Sequence, residues 1–193
     1  MGRNKPPERI TRSLKRSNLR SGQGYQGTKT KDYALIFDDD GKGEVADIVA
    51  VRIVSNQSEP TGIEVDLYHC KYSHGDAPGR RIEDLYEVCG QTQKSIAWVT
   101  SPDKKTDMFT HVLRRESHRR DAGGPSRFEV GDEDLVLMLR EMSRMLPVTF
   151  RIYIVQPGVS QANASPEQLG LLSVTENYLA ETYQLKLGVI ASA

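Results

Sequence analysis

Two runs of alternating side chains, residues 45–53 and 63–71, are joined by the polar, turn-rich Ser55-Asn56-Gln57-Ser58-Glu59-Pro60. This pattern constrains the fold more than any other part of the chain. The Val, Ile and Tyr content and the period of two make each run a β-strand, and the linker closes them as an antiparallel hairpin. Val45, Asp47, Val49, Val51 and Ile53 then share one face, so the Asp47 carboxylate projects into the side to be buried. An unpaired carboxylate there loses its charge or costs several kcal/mol, unless a cation or a donor meets it. On the second strand Ile63, Val65 and Leu67 share a face that turns polar with His69 and Lys71. A hairpin symmetric about Ser58 sets Asp47 opposite His69, with Lys71 two residues beyond on the same side. Directly opposed side chains are about 5 Å apart at Cβ. That spacing suits a carboxylate and a second ligand holding a divalent metal, with an ammonium reaching the same phosphate.

The remaining elements follow in order. Residues 33–38 read as a strand, Asp39-Asp40-Gly41-Lys42-Gly43 as a tight turn, and 82–98 as a helix with Ile82, Leu85, Cys89 and Ile96 on one side. Residues 107–120 and 132–146 read as two further helices separated by the loop Gly123-Gly124-Pro125. Residues 149–155 form a strand stopped by Pro157-Gly158. Ser165-Pro166-Glu167-Gln168 combines an N-cap, Pro at the first position and a capping-box Gln, and opens a helix to about Tyr183. Residues 185–191 close as a strand. The string is α/β: a mixed central sheet flanked by helices, with a helical insertion at about 102–147.

At 193 residues and 37% hydrophobic content the chain supports one core with appendages. Cys70 and Cys89 are unclustered and suggest neither a disulfide framework nor a zinc site. Without a signal peptide or an apolar run near membrane-spanning length, the expectation is a cytoplasmic protein with no membrane partner. The formal net charge of +0 hides an asymmetry. Within residues 1–31, Arg3, Lys5, Arg9, Arg12, Lys15, Arg16, Arg20, Lys29 and Lys31 face Glu8 alone, so the compensating negative charge lies in residues 32–193. With its Ser and Gly content this arm reads as flexible apart from a short helix at 7–19. Either it grips phosphates, with Arg12, Lys15, Arg16 and Arg20 as contacts, or it is a solvated linker.

The order Gly43-Glu44-Val45-Ala46-Asp47-Ile48-Val49-Ala50, a hairpin, and a strand ending His69-Cys70-Lys71 resembles the PD-(D/E)xK nucleases, among them Holliday-junction resolvases and Mrr-like restriction endonucleases. The chain departs from the pattern at His69, where most members carry an acid. Residues 67–73, 79–95, 154–158 and 175–183 resemble the C-terminal region of large bacterial superfamily-2 helicases thought to act in phage defence. No helicase motif is present, neither a phosphate-binding G-x-x-x-x-G-K-[ST] nor D-E-x-[DH]. The resemblance covers roughly residues 32–193 and implies a restriction-endonuclease-like domain. It implies DNA as partner, Mg²⁺ or Mn²⁺ as cofactor, and either a free-standing nuclease subunit or a detached domain. A superfamily-2 helicase subunit and a second copy of the chain are further expected partners. The alternative is a nucleic-acid-binding or helicase-docking module that has lost catalysis through the histidine.

The resemblance implies that Asp47 binds the metal, that His69 completes or supports the site, and that Lys71 stabilises the developing phosphorane charge or orients the attacking water. The alternatives are a lysine at a strand end pointing into water and a merely hydrogen-bonded histidine. Glu44 faces away from Asp47 in a regular strand, and serves as a ligand only from a bulge or turn. Asp38, Asp39 and Asp40 read as a solvated turn cluster, with Asp38 within reach of the cleft. On the following helix Gln91 and Gln93 resemble a glutamine that exonuclease-like members use on phosphate or water. Glu87 is a candidate carboxylate to compensate for His69, although Glu83, Glu87, Gln91 and Lys94 also make an ordinary exposed helix face. Arg114, Arg115, Arg119 and Arg120, with His111 and His118, either complement a helix dipole or contact DNA backbone.

Overall fold

The hairpin forms as the alternation requires. In the computed structural model, which describes residues 33–72, 78–100 and 102–192 (for 102–105 the backbone alone), β2 (Ile48–Asn56) and β3 (Glu59–Cys70) pair antiparallel. Pairs from Ile48↔Tyr68 to Val54↔Gly62 hold the expected register, and a shift between Val54 and Ser55 lies at the tip. Gln57 and Ser58 both take positive φ, 46° and 75°, as a two-residue hairpin loop demands. Extended by one step, the register puts Asp47 across from His69.

The sheet has six strands in the order β4-β1-β2-β3-β5-β6, with β1 (Leu35–Asp38), β4 (Phe128–Val130), β5 (Val148–Ser160) and β6 (Lys186–Ser192). In the β4-β1-β2-β3 part each strand is antiparallel to its neighbour, whereas β5 runs parallel to β3 and β6 parallel to β5. The helices are α1 (Glu83–Val99), α2 (Pro102–Asp121), α3 (Glu133–Met142) and α4 (Pro166–Tyr183). The α/β class is as expected, a mixed sheet flanked by helices.

The main core lies on the sheet face that carries Asp47 and His69. Leu35 and Phe37, Val49 and Val51, Ile63, Val65 and Leu67, and Phe150 and Ile152 meet Ile96 of α1, Met108, Phe109 and Val112 of α2, Val136 and Leu139 of α3, and Leu179 of α4. Each such fully buried side chain contributes about 1.5–3 kcal/mol. The opposite face carries a smaller cluster of Tyr33, Ile48, Ala50, Tyr68 and Val155, and a buried carboxylate, Asp66. Asp66 accepts from Arg52 Nη2 at 2.9 Å, Arg151 Nε at 2.8 Å and the Tyr33 hydroxyl at 2.5 Å. Burial and that carboxylate push the Tyr33 phenol up to about 12.

Several boundaries differ from those read in the sequence. The expected helical insertion contains a strand as well: β4 is too short to show a period, and its existence depends on pairing with β1. β5 does not stop at Pro157-Gly158 but runs to Ser160. The irregularity there is a register shift against β6 between Gln156 and Ser160, the kind of place where a residue without an N–H is tolerated. α2 starts earlier than its periodicity suggests, and α3 ends at Met142, with Ser143 bonding back to Leu139 O. The capping box of α4 forms as the sequence specifies, Gln168 N–H donating to Ser165 Oγ at 3.3 Å and Ser165 N–H to Gln168 Oε1 at 2.9 Å.

Candidate metal centre

The turn between β1 and β2 determines the site. Gly41 and Gly43 adopt φ of 128° and 85°, values that L side chains rarely take, and fold the chain back so that Glu44 N–H donates to Gly41 O at 3.1 Å. In return Gly41 N–H donates to Glu44 Oε2 at 2.7 Å, and Asp40 N–H to Asp38 Oδ1 at 3.2 Å. Asp39 N–H donates to Asp47 O at 3.0 Å, while Asp39 Oδ2 accepts from Val45 N–H at 2.7 Å. Glu44 therefore lies outside β2, in the turn, which frees it from the opposite-face geometry of a regular strand.

This loop brings three carboxylates together. Asp40, Glu44 and Asp47 each offer an oxygen within 4.8 Å of the others' oxygens, and their exposure decreases in that order from open to buried. Asp47, 8% exposed, accepts from the Cys70 backbone N–H at 2.6 Å through Oδ2. Burial pushes the Asp47 carboxyl up to about 7, the nearby Glu44 and Asp40 charges add to the rise, and the Cys70 N–H opposes it. Glu44 is also raised, first by burial and then by Asp40 and Asp39. Repulsion among three carboxylates is the state that a divalent cation relieves, and an all-oxygen donor set suits a hard cation such as Mg²⁺ or Mn²⁺. The residues present fit such an ion.

The cluster that could hold a cation differs from the expected set in three residues. His69 and Glu87 do not join the cluster, whereas Asp40 takes a place in it while remaining exposed as read in the sequence; Asp39, read with it as solvated, is buried. His69 is 2% exposed and points to α1, where Nε2 lies 2.8 Å from Ser95 Oγ. Ser95 Oγ in turn donates to Val45 O at 2.6 Å. Because that hydroxyl has one proton and a carbonyl only accepts, the consistent arrangement has His69 Nε2–H donating to Ser95. Burial pushes the imidazole down to about 4, so it is neutral, with Nδ1 buried and without a hydrogen-bond partner among the described residues. The histidine is thereby linked through Ser95 to Val45, which lies between Glu44 and Asp47.

Lys71 leaves β3 directly after the residue whose N–H holds Asp47. Its Nζ pairs with Glu87 Oε2 at 2.6 Å, with the two side chains 25% and 57% exposed. Glu87 is thus occupied with the lysine. Gln93 is exposed on α1, and Gln91 is half-buried with an unpartnered Oε1; neither is tied to the carboxylate cluster.

The arginines of α2 are reassigned. Arg115, expected at a DNA surface, turns inward: Nε donates to Asp39 Oδ1 at 2.6 Å, Nη1 to Lys42 O at 2.7 Å, and Nη2 to Asp39 O and, at 3.3 Å, to Asp40 O. Arg120 pairs with Glu116 and Glu133, Arg119 Nε donates to Pro125 O at 3.4 Å, and Arg114 Nη2 donates to His111 Nδ1 at 3.1 Å. Arg114 remains largely solvent-facing. Arg12, Lys15, Arg16 and Arg20 lie outside the described residues.

Comparison of the chain with protein-family models, curated proteins and solved structures finds no match to any of the three. Among the described residues no helix is long and apolar enough to cross a membrane.

Proposed function

We propose that this chain is a metal-dependent nuclease that hydrolyses DNA phosphodiester bonds, in restriction or phage defence, on a restriction-endonuclease-like sheet. The observation that carries the reading is the set of Asp40, Glu44 and Asp47 oxygens within 4.8 Å of one another at the start of β2, beside the end of β3 from which Lys71 emerges. Mg²⁺ or Mn²⁺ held there would supply Lewis-acid stabilisation of the phosphate and a lowered water pKa. The chain's own residues do the rest. Asp47 is oriented by the Cys70 N–H, Glu44 by the Gly41 N–H, and both remain available on a second oxygen. Lys71 releases Glu87, a partner more exposed than itself, to meet the charge developing on the phosphate.

The second reading is a nucleic-acid-binding or helicase-docking module without catalysis. It is favoured by one observation: the position two before the lysine is a neutral, core-facing histidine. A superfamily-2 helicase subunit and a second copy of the chain are proposed partners in either reading. Incubation of supercoiled plasmid and of single-stranded DNA with wild type and Asp47→Asn, in Mg²⁺, Mn²⁺ or chelator, separates the two. Cleavage by wild type alone, abolished by chelator, is expected; DNA binding without cleavage in either metal would leave the binding module as the reading.

A further inference from the structure

Three of the buried carboxylates among the described residues, Asp39, Asp47 and Asp66, have different partners. Asp66 is met by Arg52 and Arg151, and Asp39 by Arg115, whereas among the described residues no basic side chain forms an ion pair with Asp47. The Arg115 side chain is 15% exposed and that of Asp39 fully enclosed. One guanidinium therefore spans a carboxylate and three backbone carbonyls of a single turn, those of Asp39, Asp40 and Lys42. Asp39 passes the restraint on from both of its ends, by accepting Val45 N–H on its other oxygen and donating its own N–H to Asp47 O. A chain of hydrogen bonds thus runs from α2 to Val45, the neighbour of Glu44, and to the backbone of Asp47 itself. Arg127 adds to it, Nη1 donating to Asp38 O at 2.8 Å and Asp40 O at 3.2 Å, and His111 Nε2 stands 3.7 Å from Asp39 Oδ2.

We infer that Arg115 is a positioning residue for the metal site: from the inserted helix it fixes the β1–β2 turn in the one shape that gathers Asp40, Glu44 and Asp47. The inference rests on the metal-site reading and deepens it. The planar fork of arginine fits this role because its donors are fixed relative to one another, while a lysine ammonium on a flexible stem reaches one acceptor cluster at most. The sign of the effect separates positioning from electrostatics. Arg115 is a cation near three carboxylates, so removing it tightens cation binding if its influence is that of charge alone. If it holds the turn, removing it weakens binding.

The test is Mn²⁺ titration of the full chain, read by the loss of the free-ion electron paramagnetic resonance signal, for wild type, Asp47→Asn, Arg115→Met and Arg115→Lys. Amide hydrogen exchange at Asp39 and Val45 in the metal-free proteins accompanies it. Loss of a supporting contact behind metal ligands typically costs 10–100-fold in affinity, so Arg115→Met should weaken Mn²⁺ binding roughly tenfold or more. Its Asp39 and Val45 amides should exchange faster, and Arg115→Lys should fall between it and wild type. Should Arg115→Met fail to fold, the charge-preserving lysine variant decides: affinity equal to wild type would overturn the inference. Unchanged or tighter binding by folded Arg115→Met would overturn it as well. Mn²⁺ uptake that is lost in Asp47→Asn but intact in both Arg115 variants sinks this inference alone. A wild type that takes up no Mn²⁺ sinks the metal reading and this inference together.

Discussion

The backbone N–H of Cys70 donates to Oδ2 of Asp47 at 2.6 Å, joining the end of β3 to the residue immediately before β2. A neutral donor aims this carboxylate without cancelling its charge. Asp39 and Asp66 are each neutralised by arginine, so of these three buried acids Asp47 is the one left with charge to offer a cation.

Asp47→Asn should therefore abolish metal-dependent cleavage and Mn²⁺ uptake without destabilising the fold. At pH 8 the variant should be as stable as wild type or more so, because a buried carboxylate whose pKa stands at about 7 opposes folding once ionised. Chemical denaturation and plasmid cleavage on the same preparations check this. A lower stability of the variant at pH 8 would contradict the assignment.

The pH dependence of stability should show two opposed contributions. The raised Asp47 carboxyl binds its proton more tightly in the folded state, so its contribution to stability is greatest at acid pH and falls between about pH 4 and 7, by roughly 1.4 kcal/mol per pH unit at the steepest. The His69 imidazole is lowered from 6.5 to about 4, so the unfolded state binds the extra proton and stability rises with pH across that window. In the metal-free wild type the two slopes offset one another between about pH 4 and 6.5. Asp47→Asn should expose the rising limb and His69→Gln the falling one; equal slopes in both variants would contradict the pair of assignments.

His69→Glu should not improve the site. The imidazole is enclosed between β3 and Ser95 of α1, and a carboxylate there would be desolvated without a cation, costing several kcal/mol. His69→Gln, which can still donate to Ser95, should retain most stability and Mn²⁺ affinity. A more active His69→Glu enzyme in Mg²⁺ would restore the histidine position to the ligand set.

Lys71 and Glu87 should separate in function though they are paired in structure. The pair is substantially exposed, so Glu87→Ala should change stability by no more than about 1 kcal/mol and leave Mn²⁺ affinity unaltered. Lys71→Ala should remove cleavage while leaving metal uptake intact. Mn²⁺ binding lost in Glu87→Ala would place that carboxylate among the ligands.

Deleting residues 1–31 should weaken binding to all DNA sequences alike and flatten the salt dependence by about 0.9 log units per lost duplex phosphate contact. Affinity against salt, measured with Asp47→Asn to prevent cutting, reads this directly. An unchanged slope would identify the segment as a linker and direct attention to Arg114, which is exposed on α2.

The sequence by itself determined the hairpin, its register as far as Val54, the burial of Asp47 and the capping of α4, because each depends on contacts between near neighbours: alternation along a strand, a polar turn-rich linker, a cap three residues from its partner. The tertiary structure alone decided what surrounds Asp47. Asp40 is exposed, as the sequence suggests, but its place beside Glu44 is not legible there, because two glycines at positive φ and an arginine from α2 are what turn the chain back. Arg115 reads as a surface cation, since its acceptors lie in a turn more than seventy residues earlier. His69 sits at the expected step of the ladder, yet the helix packed on that face turns it into a support by giving it Ser95. β4, only three residues long, carries no period of its own and exists through its partner β1. Local chemistry placed the acid; long-range packing chose its companions.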